Sequence, residues 1–374
     1  VYVHEIIINS SKEILNCRTI NRKSNKIRIV DIARMACVSA GTIDRVIHNR
    51  GEVADITRKR VMRIIRESHY VPDILARTLA SRKILRFAIL IPEENSDSSF
   101  WSKPLLGVNN ALNEISHYGI TGKMFLFDQF SRFSFQQQAE RMMQYEPDAV
   151  LIAPLYYRET VSLIESCGNK KIPYIFINSD LKDNNKLGFV GQDSRQSGYL
   201  AARLMSYSVK PDSKLLIINI SSALESHKHI LNRQKGFESF FMENPGMNVD
   251  FFVHHIKDMD KNSIDNSLRK VFSGLSGISG IFATNSKVYK IARFIKENGI
   301  HPMTLIGYDL IDENIEYVEN NIIDFLISQR PVEQGYRGIM ALFNYVVLNK
   351  RVKKEQHLPI DIITKENYRF YIKH

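Results

Sequence analysis

IVDIARMACVSAGTIDRVIHNRGEVADITRKRVMRIIRESHYVPDILARTLAS, residues 29–81, opens with two amphipathic patterns either side of a tight connection. Ile29, Ile32, Ala33 and Ala36 form one apolar stripe at helical spacing, and Ile43, Val46 and Ile47 form the next. Between them come Cys37 and Val38, then Ser39, whose hydroxyl can accept from the free N–H groups of the second helix. Two helices so closely joined predict a helix-turn-helix, whose second helix can enter a DNA major groove. A third helix, from Asp55 to about Ser68, covers the first two through Val61, Ile64 and Ile65.

The charge is concentrated in the same place. Residues 22–86 hold 16 Lys and Arg against 6 Asp and Glu, a net of +10, while the whole chain of 374 residues has +11. A basic excess lying on a helix-turn-helix reads as the phosphate-contacting face of a DNA-binding module. The 44% hydrophobic content suits a globular chain of two or three domains. No apolar run approaches a membrane span, and residues 1–17 lack the pattern of a secretory signal. Three widely spaced cysteines, Cys17, Cys37 and Cys167, suit a reducing cytoplasm better than a disulfide framework.

The stretch resembles the lactose-repressor (LacI/GalR) family of bacterial transcription factors. The match starts at Asp31-Ile32-Ala33, continues through Val38-Ser39, Thr42-Ile43, Arg45-Val46, Thr57-Arg58 and Val61, and ends at Tyr70, Pro72, Ala76, Arg77 and Leu79. The resemblance implies DNA contacts by Ser39, Ala40, Gly41, Thr42, Arg45, His48, Asn49, Arg77 and Leu79. Ala40 and Gly41 fall where the family reads bases, yet neither can do so by a side-chain hydrogen bond. Arg45 alone has the fork suited to guanine, so specificity should lean on it, on the hinge and on DNA shape. The family's hinge helix maps to 72–83, with Leu79 as the wedge between base pairs in the minor groove. The alternative is a linker helix packed on the following domain.

Three positions depart from the family pattern. Cys37 stands where the turn usually has glycine, so a left-handed backbone there would be strained. Asp44 replaces a small polar residue and puts an acid near phosphates, or could instead accept from a cytosine N4. Ala54 replaces a capping serine, with Asp55 as its substitute.

From Ile84 onward short apolar runs alternate with amphipathic stretches. Strands are predicted at 86–91, 121–127, 149–153, 174–178, 188–190, 214–220, 250–256, 280–284, 304–308 and 322–328, with helices including 103–116, 136–144, 196–207, 228–243 and 287–298. Such alternation indicates doubly wound parallel sheets, which bind ligands at the carboxyl ends of their strands. This region resembles the periplasmic sugar-binding-protein fold. Its motifs include Ser99-Phe100-Trp101, Asn178-Ser179-Asp180, Asn232-Arg233, Thr284-Asn285, Tyr308-Asp309 and Ser328-Gln329-Arg330.

The organisation implied is an extension at 1–26, read as a flexible arm; an all-α helix-turn-helix headpiece at 27–71; the hinge at 72–83; and a two-lobed α/β domain at 84–374. By resemblance the N-lobe takes about 84–192 and 330–360, and the C-lobe 193–329 and 361–374. The implied effector site consists of Phe100, Trp101, Asn178, Asp180, Arg233, Asn285, Asp309 and Gln329. Phe100 and Trp101 offer faces for a sugar ring, and Arg233 should oppose Asp180 or Asp309. Core aromatics and turn-forming Asx residues are the ordinary alternative. His227 and His229 are expected at the surface. Gly274, Gly277 and Gly280 precede a strand, so they are no dinucleotide fingerprint, and no zinc, P-loop or nucleophile-elbow motif is present.

The function implied is a cytoplasmic, homodimeric regulator, with no cofactor and no enzyme activity, controlled by a small carbohydrate-like effector. A solute-binding protein of a transporter, or a sugar-modifying enzyme, would be the other uses of such a cleft.

Overall fold

Three short helices open the described part of the chain: α1 (Ile29–Met35), α2 (Ala40–Ile47) and α3 (Asp55–Glu67). The computed structural model describes residues 27–47, 51–68, 84–94, 99–183, 185–221, 228–300 and 303–372. His48, Asn49, the 1–26 extension and the 72–83 hinge with Arg77 and Leu79 lie outside them. The chain divides into two units, Val1–Ser81 and Arg82–His374.

In the first unit Ile32, Ala33, Ala36, Ile43, Val46 and Val61 form a buried core, with Ile64 and Ile65 half-buried at its edge. Thr42 N donates to Ser39 Oγ at 3.2 Å, which caps α2. Asp31 accepts from Arg28 N at 3.0 Å at the start of α1. Cys37 takes φ 51° in the turn, the left-handed backbone that the sequence marks as strained. Ala54 stands at the N-cap of α3 with no side-chain cap. Asp55 lies one position further in, so it aids α3 by placing charge at the helix's positive end rather than as the cap.

The second unit contains two six-stranded sheets. The first has order β11-β5-β4-β3-β1-β2, from β1 (Leu85–Pro92), β2 (Ile120–Phe127), β3 (Ala149–Ile152), β4 (Tyr174–Ile177), β5 (Gly188–Gly191) and β11 (Glu355–His357). The second repeats that pattern as β12-β10-β9-β8-β6-β7. It is built from β6 (Lys214–Ile220), β7 (Asp250–Ile256), β8 (Ile278–Ala283), β9 (Thr304–Tyr308), β10 (Phe325–Ser328) and β12 (Asp361–Ile363). The inner strands are buried on both faces, which is why their sequences run continuously apolar. One departure from all-parallel pairing appears: β12 runs antiparallel to β10. A three-residue edge strand entering from the other lobe can close that sheet in either direction.

The helices that position the cleft are α4 (Ser102–Ile115), α5 (Arg132–Gln144), α6 (Tyr157–Asn169), α7 (Ser194–Ser206), α8 (Lys228–Glu243), α9 (Lys261–Gly274), α10 (Val288–Glu297), α11 (Asp312–Glu319) and α12 (Pro331–Val346). A last short helix, α13, spans Arg369–Ile372. The chain passes between the sheets three times: between β5 and α7, between β10 and α12, and between β11 and β12. Hydrogen bonds tie these passages together. Gln192 Nε2 donates to Ser328 O at 3.0 Å, and Arg330 forks onto Asp361 at 2.7 and 2.9 Å.

Each lobe packs one helix pair at backbone contact. A Cβ on Gly198 of α7 would lie 1.9 Å from Arg233 O of α8, and one on Gly107 of α4 would lie 1.9 Å from Val332 O of α12. Glycine is required at both crossings. Among the described residues, no helix is long and apolar enough to cross a membrane.

Candidate functional site: a cleft between two sheets

In each sheet the strand order reverses beside its first strand, β1 against β3 and β6 against β8. Beyond the carboxyl end of such a switch point an open crevice forms. In this unit both crevices contribute to one cavity of about 650 Å³ of atom-free space, part of it open to solvent.

One wall comes from the first sheet: Phe100 and Trp101 after β1, Gln129 and Phe130 after β2, Leu155 after β3 and Asn178 after β4. Phe100 and Trp101 meet edge to face with ring centroids 5.1 Å apart. The other wall comes from the second sheet and α8: Ile220 at the end of β6 and Ser221 after it, Asn285, Ser286 and Lys287 after β8, Gln329 after β10, and His229, Ile230 and Arg233 from α8.

Arg233 is the centre of the polar network. It is 1% exposed, and its Nη1 donates to Thr284 O at 2.8 Å while Nη2 donates to Gln329 Oε1 at 2.5 Å. Its guanidinium lies 3.7 Å from the centroid of the Tyr308 ring, a cation–π contact in a dry setting. Gln329 is a bridge. Its Nε2 donates to Asp309 Oδ2 at 2.6 Å and its backbone N donates to Oδ1 at 3.1 Å. Only one orientation of this amide satisfies both Arg233 and Asp309, so the network fixes it.

Burial pushes the Asp309 carboxyl up to about 6, against the pull of Arg233 and of the Gln329 hydrogen bonds. The same burial pushes Arg233 down from its ordinary value, with Tyr308 and Asp309 acting against that shift. Tyr308, whose hydroxyl lies 2.9 Å from Ser197 Oγ, is pushed up to about 12, again chiefly by burial.

The lobes also touch across the cleft. Glu313 accepts from Ser99 N at 3.1 Å and from Ser99 Oγ at 2.7 Å. Ser179 Oγ and His229 Nδ1 lie 2.7 Å apart, and Lys287 Nζ sits 5.0 Å from the Phe130 ring centroid. These contacts join side chains on opposite lobes, so separation of the lobes would break them.

Six of the eight cleft residues named from sequence line this cavity: Phe100, Trp101, Asn178, Arg233, Asn285 and Gln329. Asp309 lies behind Gln329 and holds it in place. Asp180 is elsewhere: it pairs with Lys186 Nζ at 2.5 Å and does not oppose Arg233. His229 lines the cleft rather than the surface, because α8 begins at the cavity's rim. Lys287, Gln129, Phe130, Leu155 and Ser221 line the cavity without a sequence motif of their own; each follows the end of a strand, and that position is the signal that marks them.

In the headpiece, Ser39, Ala40, Gly41 and Arg45 are exposed on one end of α2, with Thr42 half-buried. Arg45 Nε donates to Gly41 O at 3.3 Å and Nη2 to Thr42 Oγ1 at 3.4 Å, so the side chain folds back along its own helix. Among the described residues, no group of three or more His, Cys, Asp or Glu side chains could hold a metal ion.

Comparison with known proteins matches both units of the chain to family models. Residues 87–350 match the periplasmic binding protein domain, and residues 28–73 match the lacI family of bacterial regulatory proteins. The transcriptional regulator MalR of Streptococcus pneumoniae is 28% identical over 194 residues, 50% of this chain and 55% of that one. The sucrose operon repressor of Escherichia coli is 30% identical over 144 residues, 38% of this chain and 41% of that one. The chain thus spans about half the length of these curated relatives.

Among solved structures, a LacI-type protein of Bacteroides fragilis superposes with TM-score 0.69 at 28% identity, covering 77% of this chain and 100% of that one. GanP, a glucose-galactose binding protein from Geobacillus stearothermophilus, shares the fold with TM-score 0.67 at 20% identity, covering 76% of this chain and 99% of that one. The chain belongs to the periplasmic binding protein domain family, and ahead of that domain in sequence it carries a helix-turn-helix domain matching the lacI family of bacterial regulatory proteins.

Proposed function

We propose that this protein is a homodimeric, cytoplasmic transcriptional repressor whose operator binding is set by a small carbohydrate-like effector in the interlobe cleft. One observation carries the reading: a DNA-binding headpiece and a two-lobed cleft occur on the same chain. Recognition would rest on α2, with Arg45 at base edges and Ser39 and Thr42 near phosphates. The Phe100–Trp101 pair would take the apolar face of a sugar ring, while Asn178, Arg233, Asn285 and Gln329 would meet its hydroxyl rim. A relative named as a sucrose operon repressor supports the ligand class. Binding rather than turnover is the chemistry of this cleft.

The lobe contacts supply the switch. A ligand that favours the closed cleft shifts the lobe arrangement only by its differential affinity for that state. Two-fold symmetry of the dimer would be mirrored in a pseudo-palindromic operator. Selection of bound fragments from genomic DNA, followed by footprinting at physiological salt, tests this. A protected pseudo-palindrome, bound far more tightly than bulk DNA, is expected; uniform binding of all fragments would remove the reading.

A further inference from the structure

The described lining of the cleft contains Arg233, Lys287 and His229, and neither an aspartate nor a glutamate. The nearby acids are committed elsewhere: Asp309 to Gln329, Asp180 to Lys186 and Glu313 to Ser99. Among the described residues Arg233 therefore donates to neutral acceptors alone, the Thr284 carbonyl and the Gln329 amide oxygen. A guanidinium has five N–H donors and stays charged in a protein. Two of Arg233's donors are used, which leaves three, and one of these, on Nε, is buried without an acceptor.

A charge taken out of water is costly unless it is paired and hydrogen-bonded. Among the described residues, the one carboxylate in the network, Asp309, reaches Arg233 through the neutral Gln329 amide. The face of Tyr308 offsets part of the cost but supplies no acceptor to the open N–H groups. Nor do the described residues of the wall offer a carboxylate, the strongest acceptor for neutral sugar hydroxyls; Asn178 and Asn285 are amides.

We infer that the effector is an anionic carbohydrate, one bearing a carboxylate or phosphate oxyanion that takes the remaining donors of Arg233. This rests on the reading of the cleft as a carbohydrate site. The oxyanion would pair with a fork whose position is already fixed by Thr284 and Gln329, so little ordering is needed on binding. The ring would then lie against Phe100 and Trp101.

Isothermal titration calorimetry of the full chain tests it, with D-glucose, D-galactose and D-ribose each beside its sugar acid and its terminal phosphate ester. At least one charged member is expected to bind about tenfold or more tightly than its neutral parent. That affinity should fall as NaCl is raised from about 50 to about 500 mM. The two charged series distinguish carboxylate from phosphate. Arg233→Gln, provided it retains operator binding, should erase the preference for the charged member. A neutral parent binding as tightly as its charged partners overturns the inference and leaves the carbohydrate reading standing. A panel in which nothing binds overturns both.

Discussion

Replacing Gly198 with alanine adds one carbon where the α7 and α8 backbones touch. Its Cβ would lie 1.9 Å from Arg233 O, whereas ordinary contacts begin near 3.4 Å, so the helices must separate by about 1.5 Å. The obstructing atom is backbone, and no rotamer change can move it. Overpacking of this kind costs up to about 3 kcal/mol. The higher helix propensity of alanine returns up to about 1 kcal/mol. A net loss of about 2 kcal/mol follows, which for a unit of this size lowers the melting temperature by about 4–8 °C. Gly168 in α6 is the control, because a Cβ there meets nothing within 4 Å. Gly168→Ala should raise the melting temperature by a few degrees at most, from propensity alone. Differential scanning calorimetry of both variants reads the result. Shifts of the same sign, or wild-type stability in Gly198→Ala, would refute the claim that this crossing is at backbone contact. The carbonyl displaced belongs to Arg233, so Gly198→Ala should also weaken whatever the cleft binds.

Asp309 has a folded value of about 6, above the ordinary aspartate value of about 3.9. The folded state thus binds this proton more tightly, and the stability it contributes is complete near pH 4 and lost as pH rises through 6. The stability difference between wild type and Asp309→Asn should therefore move against wild type between about pH 5 and pH 7; a difference that stays flat would show that the carboxyl does not titrate there. Arg45→Ala should reduce operator discrimination by about 1–3 kcal/mol in a fluorescence anisotropy titration against operator and mutated operator. Equal affinity and selectivity would remove Arg45 from base readout. Cys37→Gly should stabilise the headpiece by about 1 kcal/mol, since glycine takes the left-handed turn without the Cβ penalty. Chemical denaturation followed by the headpiece's helical signal checks the sign.

Some elements were legible because burial on both faces leaves an unbroken apolar run. β6 and β9 lie where 214–220 and 304–308 predict them; β7 also lies at its predicted 250–256, but as a largely exposed edge strand. β11 and β12 were not visible: Glu355–His357 is polar throughout, and each has three residues, too few for any period to register. They exist because the neighbouring strand of each sheet offers an edge. The cleft was partly legible by the rule that ligands meet strand ends. That rule reaches Phe100, Asn178 and Gln329, but it cannot say which polar side chain turns inward. Asp180 turns to Lys186, and Asp309 turns behind Gln329, choices set by partners six and twenty residues away. His229 was misplaced for a related reason, since a helix start has no strand-end signal to mark it.

The central claim is that cleft and headpiece are energetically coupled. Its direct measurement is a closed cycle on the full chain, using the tightest-binding carbohydrate of the calorimetric panel. Operator affinity is measured with and without the saturating carbohydrate, and carbohydrate affinity with and without saturating operator. Linkage requires both affinities to change by the same factor. A shared factor of about fivefold or more is predicted. Operator affinity unchanged at saturating carbohydrate would contradict the account.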